Sequence, residues 1–240
     1  MLIAVINQST LVTNAQVNTM CQAIQIQLDL HFMPAWNLKN GTVKFYADAA
    51  QVPGYSWTIY VIDTDAQVAG ALGFHQEVGD KVNGYIMCQP ILSNGGSVLA
   101  FDASNPGAYT VSGTLSHEVL ESINDRFTNT FCDNGATSWC MEMCDPCEQI
   151  GYAIEVDGYS VSVSDFCFPS FFNPQATATN APFNYLKSFT GPFQILNGGY
   201  AIQRTGGPGT ETQVFGKAMP QWRQDTKKKA FSRGGRRFTK

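Results

Sequence analysis

The chain has 240 residues, enough for one domain with a sizeable core, and 44% of them are hydrophobic against only 14% charged. That balance excludes a disordered or low-complexity protein, and the lack of any run of 18 uncharged apolar residues excludes a membrane-spanning helix. The net charge of −4 is unevenly placed, because residues 222–240 hold eight Lys or Arg against Asp225 alone, leaving an acidic body and a basic tail.

Taken in chain order, LIAVINQ (2–8) reads as a strand entering a core. Thr13-Asn-Ala-Gln16 has capping-box spacing, and Val17, Met20, Cys21, Ile24 and Leu28 recur at intervals of three and four. This predicts a helix from about 14 to 30, stopped by Pro34. TVKFYAD (42–48) and WTIYVIDT (57–64) read as strands, followed by ALGFHQE around His75 and NGYIMCQPI (83–91). A loop rich in Gly, Asn and Pro fills 93–109, and a helix covers TLSHEVLESINDR (114–126). This order predicts an α+β fold, a mixed sheet packed on a helix. Residues 127–150 read as irregular and rich in Cys and acids, 155–166 as a hairpin turning on Asp157-Gly158, and 168–216 as aromatic loops and short strands. The expected organisation is one domain over 1–216 and a tail over 217–240 with the composition of a solvated basic arm.

The helix at 114–126 carries the chemistry. With His117 at zero and 100° per residue, Glu121 falls at about 40° and Glu118 at about 100°, while Leu115, Val119, Leu120 and Ile123 gather on the opposite side. A His and a carboxylate four residues apart lie one above the other at a metal-ligand bite. Glu118 is then placed as general base for a water activated by the cation. A third ligand is expected from CMEMCDPCE (140–148), where Glu142 follows Glu121 by 21 residues. His117, Glu121 and Glu142 would hold one divalent ion, zinc by preference, with Asp125 or Asp145 fixing the tautomer of His117. His75, just after a strand, is a candidate to stabilise an oxyanion or to add a ligand. Cys132, Cys140, Cys144 and Cys147 lack the two tight pairs of a zinc ribbon and read as buried thiols or a local bridge.

The pieces His117-Glu118-x-x-Glu121 and Glu142 resemble the gluzincin metallopeptidases, the thermolysin-like group, in which a glutamate ligand follows the zinc helix at about this distance. The chain departs from that group at Glu121, where the group has His. It also resembles phage and bacterial proteins that carry S-H-E-v-L-E, E-v-C-D-P-x-E, V-S-D-F and G-G-Y. These stand here at Ser116–Glu121, Glu142–Glu148, Val163–Phe166 and Gly198–Tyr200. That resemblance spans about 1–216 and implies a zincin-like fold.

Two functions follow as expectations. One is a zinc-dependent hydrolase of metallopeptidase type with a peptide substrate. The other is a non-catalytic structural protein of a phage virion, whose basic tail docks on neighbouring subunits, or on nucleic acid through 222–240. Seven cysteines, an odd number, and an amino terminus without a basic leader point to the host cytoplasm or a virion rather than secretion, with no membrane partner.

Overall fold

The computed structural model describes residues 1–65, 71–101, 108–127, 130–135 and 137–234, with side chains through 228. Strand β1 (Leu2–Asn7) is followed by helix α1 (Asn14–Gln27), whose capping box forms as its spacing implies, with the Thr13 hydroxyl accepting from Gln16 N at 3.2 Å. The helix runs on past its expected end, through a widened π turn (Leu28–Phe32) into α2 (Met33–Ala35). Pro34 lies inside this run, one residue before its end at Ala35, just after the π turn in which Met33 N–H reaches back to the Leu28 carbonyl.

Strands β2 (Thr42–Tyr46), β3 (Trp57–Ile62), β4 (Gly73–Val78) and β5 (Lys81–Met87) join β1 in one sheet, in the order β2-β1-β3-β5-β4. The first four positions of that order are parallel, and β4 lies antiparallel at the edge, paired with β5 through a tight turn at Gly79. The segment 88–91, expected to extend the last strand, instead opens helix α3 (Cys88–Ser93). The fold is mixed α+β.

Helix α4 (Val111–Asn124) begins earlier than expected, because Thr110 caps it by accepting from Gly113 N at 2.9 Å. It is wedged between β4 and β5 on one side and the hairpin of β8 (Gly151–Val156) and β9 (Tyr159–Ser164) on the other. That hairpin turns on Asp157 and Gly158, both at positive φ (49° and 81°). The stretch expected to be irregular contains β6 (Phe131–Asp133) and β7 (Ser138–Cys140). Beside β7 pair β10 (Tyr200–Arg204) and β11 (Glu211–Phe215).

Phe166, Phe171 and Phe183 are fully buried against Phe32 and the rest of the core, so the loops of the aromatic segment contribute core as well as cover. Its organising residue is Asp165, which is 0% exposed and accepts from Phe166 N (2.8 Å), Leu186 N (3.2 Å) and the Asn184 amide. Asn184 in turn accepts from Ser188 N (2.8 Å) and Phe189 N (3.2 Å). Asp165→Asn would turn an NH2 group toward these donors. It is expected to cost about 2 kcal/mol in urea unfolding; an unchanged midpoint would remove Asp165 from this role.

The expected basic arm is a helix, α5 (Gln221–Gly234), packed on the body near β11. Composition pointed to solvent because it counts charges without regard to partners. Arg223 and Lys227 find theirs in the interior. No helix among the described residues is long and apolar enough to cross a membrane.

Candidate metal centre

A polar helix face normally meets water, but that of α4 does not. His117, Glu118 and Glu121 are all under 9% exposed, and they line a cavity of about 190 Å³ enclosed by β4, the 142–149 loop, β10 and α5. Burying so many ionisable groups is costly unless they are paired or coordinate a cation.

His117 Nε2 lies 2.9 Å from Glu121 Oε2 and 3.2 Å from Asp145 Oδ1. One N–H cannot satisfy two carboxylate oxygens, so one acceptor is in surplus. The other oxygen of Glu121 accepts from Cys144 N at 3.0 Å, which fixes this carboxylate against the loop after β7. Glu142 shares a hydrogen bond with Glu121, while its Oε2 is buried with no hydrogen-bond partner among the described residues. Asp145 was expected to orient His117 from behind, yet it is the loop carboxylate found at Nε2, and Glu142 meets Glu121. Asp145 opens the single helical turn Asp145–Cys147, all three residues of which are buried. Tyr200 reaches the same carboxylate and hydrogen-bonds to Asp145. It gets there because Gly199 lets β10 start against Pro146, where a Cβ would lie 2.2 Å from the Pro146 carbonyl oxygen.

Along the same cavity, His75 Nδ1 lies 3.0 Å from Glu118 Oε2, and its Nε2 lies 3.0 Å from the Asp125 carbonyl oxygen. That carbonyl can only accept, so Nε2 carries a proton, and the ring reaches Glu118 through Nδ1. Both nitrogens are engaged, so His75 is a brace for Glu118 rather than a free oxyanion donor, although it stands within 4.8 Å of ligand oxygens of Glu121 and Glu142. Gly73 makes the brace possible, since a Cβ there would come within 2.8 Å of Glu118 Oε1. The Asp125 carboxylate accepts from Thr130 N at 3.1 Å and from the Cys140 thiol. It orients the strand after the helix, and its carbonyl holds His75.

Electrostatics follow the same division. Burial alone would lower the His117 pKa, but the charge of Glu121 and the hydrogen bonds His117 donates to Asp145 and Glu121 carry it well above the usual histidine range. Burial alone would raise Glu121, and the His117 imidazolium instead holds it at about 2. Burial, then the charges of Glu121, Asp125 and Asp145, push Glu142 well above the carboxylate range. Asp145 rises to about 6 through burial and repulsion from Glu121. Protons thus offset the repulsion among the buried carboxylates.

Set against family models, curated proteins and solved structures, the chain matches none of them. Its site therefore speaks through its own geometry. Among the described residues three donor groups have ligand atoms mutually within 4.8 Å: His117 with Glu121 and Cys144, His75 with Glu121 and Glu142, and Asp125 with Cys140 and Glu142. Glu121 and Glu142 are each shared by two of them. All seven cysteines are free thiols, and burial raises Cys144 well above the thiol range, so it is a poor ligand beside the carboxylates.

Sequence reasoning missed Glu148, Arg223, Lys227 and Tyr200, which line the same cavity. A signal for two of them existed. Pro220 ahead of a segment with Arg223 and Lys227 four apart is a helix start with two cations on one face.

Proposed function

We propose that the chain is a metal-dependent hydrolase of amide bonds, with one divalent cation held by His117, Glu121 and a carboxylate of the 142–145 loop, Asp145 being the nearer to His117. The observation that carries this reading is the buried surplus of acceptors: two carboxylate oxygens at one imidazole nitrogen, and the orphaned Glu142 Oε2 beside them. Three protein ligands with room for water is the composition of a catalytic rather than a closed structural site. The mixed N and O donor set suits zinc and leaves harder ions as competitors.

A cation in this position supplies Lewis acidity, which brings the pKa of a water down to about 7. Glu118, held through Oε2 by His75, keeps Oε1 to take the proton of the attacking water and pass it to the leaving nitrogen. Tyr200 remains protonated, since burial and the charges of Asp145 and Glu148 raise it well above the usual tyrosine range, and it steadies Asp145 by donating to it. The zincin-like reading of the fold belongs to the same proposal, supported by a His and two glutamates on one helix under an antiparallel edge strand.

Elemental analysis of the purified chain tests the site. One zinc per chain, lost in His117→Ala, is the expected result; wild-type protein without a stoichiometric metal would end the proposal.

A further inference from the structure

The cavity that holds the acidic cluster ends on two buried cations that the chemistry above leaves unused. Arg223 and Lys227 lie one turn apart on α5 and are only 4% and 7% exposed. Both pair with the same oxygen of Glu148: Lys227 Nζ stands 3.1 Å from Glu148 Oε1, and Arg223 Nη2 binds it directly. Lys227 Nζ also lies 3.4 Å from the centre of the Tyr200 ring.

Holding α5 against the body needs one ion pair, and a second cation on the same carboxylate leaves a net positive charge out of water. Asp145 acts on Lys227 as well, and it offsets that charge unless a cation at the His117–Glu121 group draws this carboxylate away. Arg223 Nε and Glu148 Oε2 are both buried with no hydrogen-bond partner among the described residues, and both side chains line the cavity. An open donor, an open acceptor and one surplus positive charge together describe the missing group, a monoanion that also carries an N–H. An α-carboxylate next to its amide nitrogen meets both conditions. A phosphate dianion would overcompensate the charge and offers no N–H.

We infer that Arg223 and Lys227 form a specificity subsite for the terminal carboxylate of the substrate. The substrate class is then an N-acyl amino acid or the last amide bond of a short peptide. Its hydrolysis forms a C–O bond from water to the acyl carbon and breaks the C–N bond. The proton lost by water goes to the leaving nitrogen, releasing a free amino acid. Both the reaction and the charge left on Lys227 rest on the metal-dependent hydrolase reading.

Calorimetry on the full chain with N-acetyl-L-alanine and with its amide tests the subsite. The acid is expected to bind at least tenfold more tightly than the amide. This preference should vanish in Lys227→Met with zinc content unchanged, and persist in Lys227→Arg, which keeps the charge. Equal affinity for acid and amide, or binding of neither, overturns the subsite, and both results are read on the wild-type chain. A preference that survives Lys227→Met would assign carboxylate binding elsewhere and overturn it too. A chain without zinc would end the hydrolase reading and with it the charge argument; zinc present with no preference for the acid would overturn the subsite alone.

Discussion

Glu118→Gln should lower amide hydrolysis by about 10²- to 10⁴-fold, the usual worth of a positioned general base, with metal content unchanged. Glutamine keeps the volume of the side chain and an amide that can hydrogen-bond to His75 Nδ1, now 3.0 Å from Glu118 Oε2. It cannot take a proton. Because Glu118 lines the same cavity but is paired with His75 rather than with His117, the loss should be in turnover and not in ligation. Turnover of a short peptide and elemental analysis on the same sample separate the two. Equal turnover would remove Glu118 from the chemistry, and loss of zinc would move it into the ligand set.

Truncation after Pro220 is the second large effect. It strips Glu148, whose side chain is 6% exposed in the intact chain, of both cations in its ion-pair set. Breaking a buried pair from one side costs about 3–5 kcal/mol, which for a chain of this size is a fall in Tm on the order of 10 °C. Glu148 is held below the usual carboxylate range against its burial by Arg223 and then Lys227, so its ionised form depends on them. Adding Glu148→Gln to the truncated chain should therefore recover part of the loss, because the orphaned charge is gone. A basic arm that merely docked on nucleic acid or neighbouring subunits would leave Tm unmoved on truncation, and that result would contradict the packing of α5.

Much of the frame was legible in residue order. The strand at 2–7, the capping box at Thr13, the Asp157-Gly158 turn and the amphipathic helix around His117 are written in local spacing. Each depends on neighbours within a few positions. The errors lie where a local rule met a distant partner. The first helix ran on through a π turn to Ala35, one residue past Pro34, and the segment after Met87 coiled instead of extending. The basic tail folded because Glu148, 75 residues before Arg223, was waiting in the interior.

By itself the sequence determined which side chains could do chemistry: a His and a carboxylate four apart on one helix, a base beside them, and more acids some twenty residues on. Spacing along a helix settles that, since 3.6 residues per turn leaves no freedom about which groups share a face. Only the tertiary structure decided that this face is buried, that Asp145 rather than Glu142 meets His117, that His75 braces Glu118, and that two tail cations close the cavity. Burial and charge pairing are properties of elements brought together from far along the chain, and no local pattern records them.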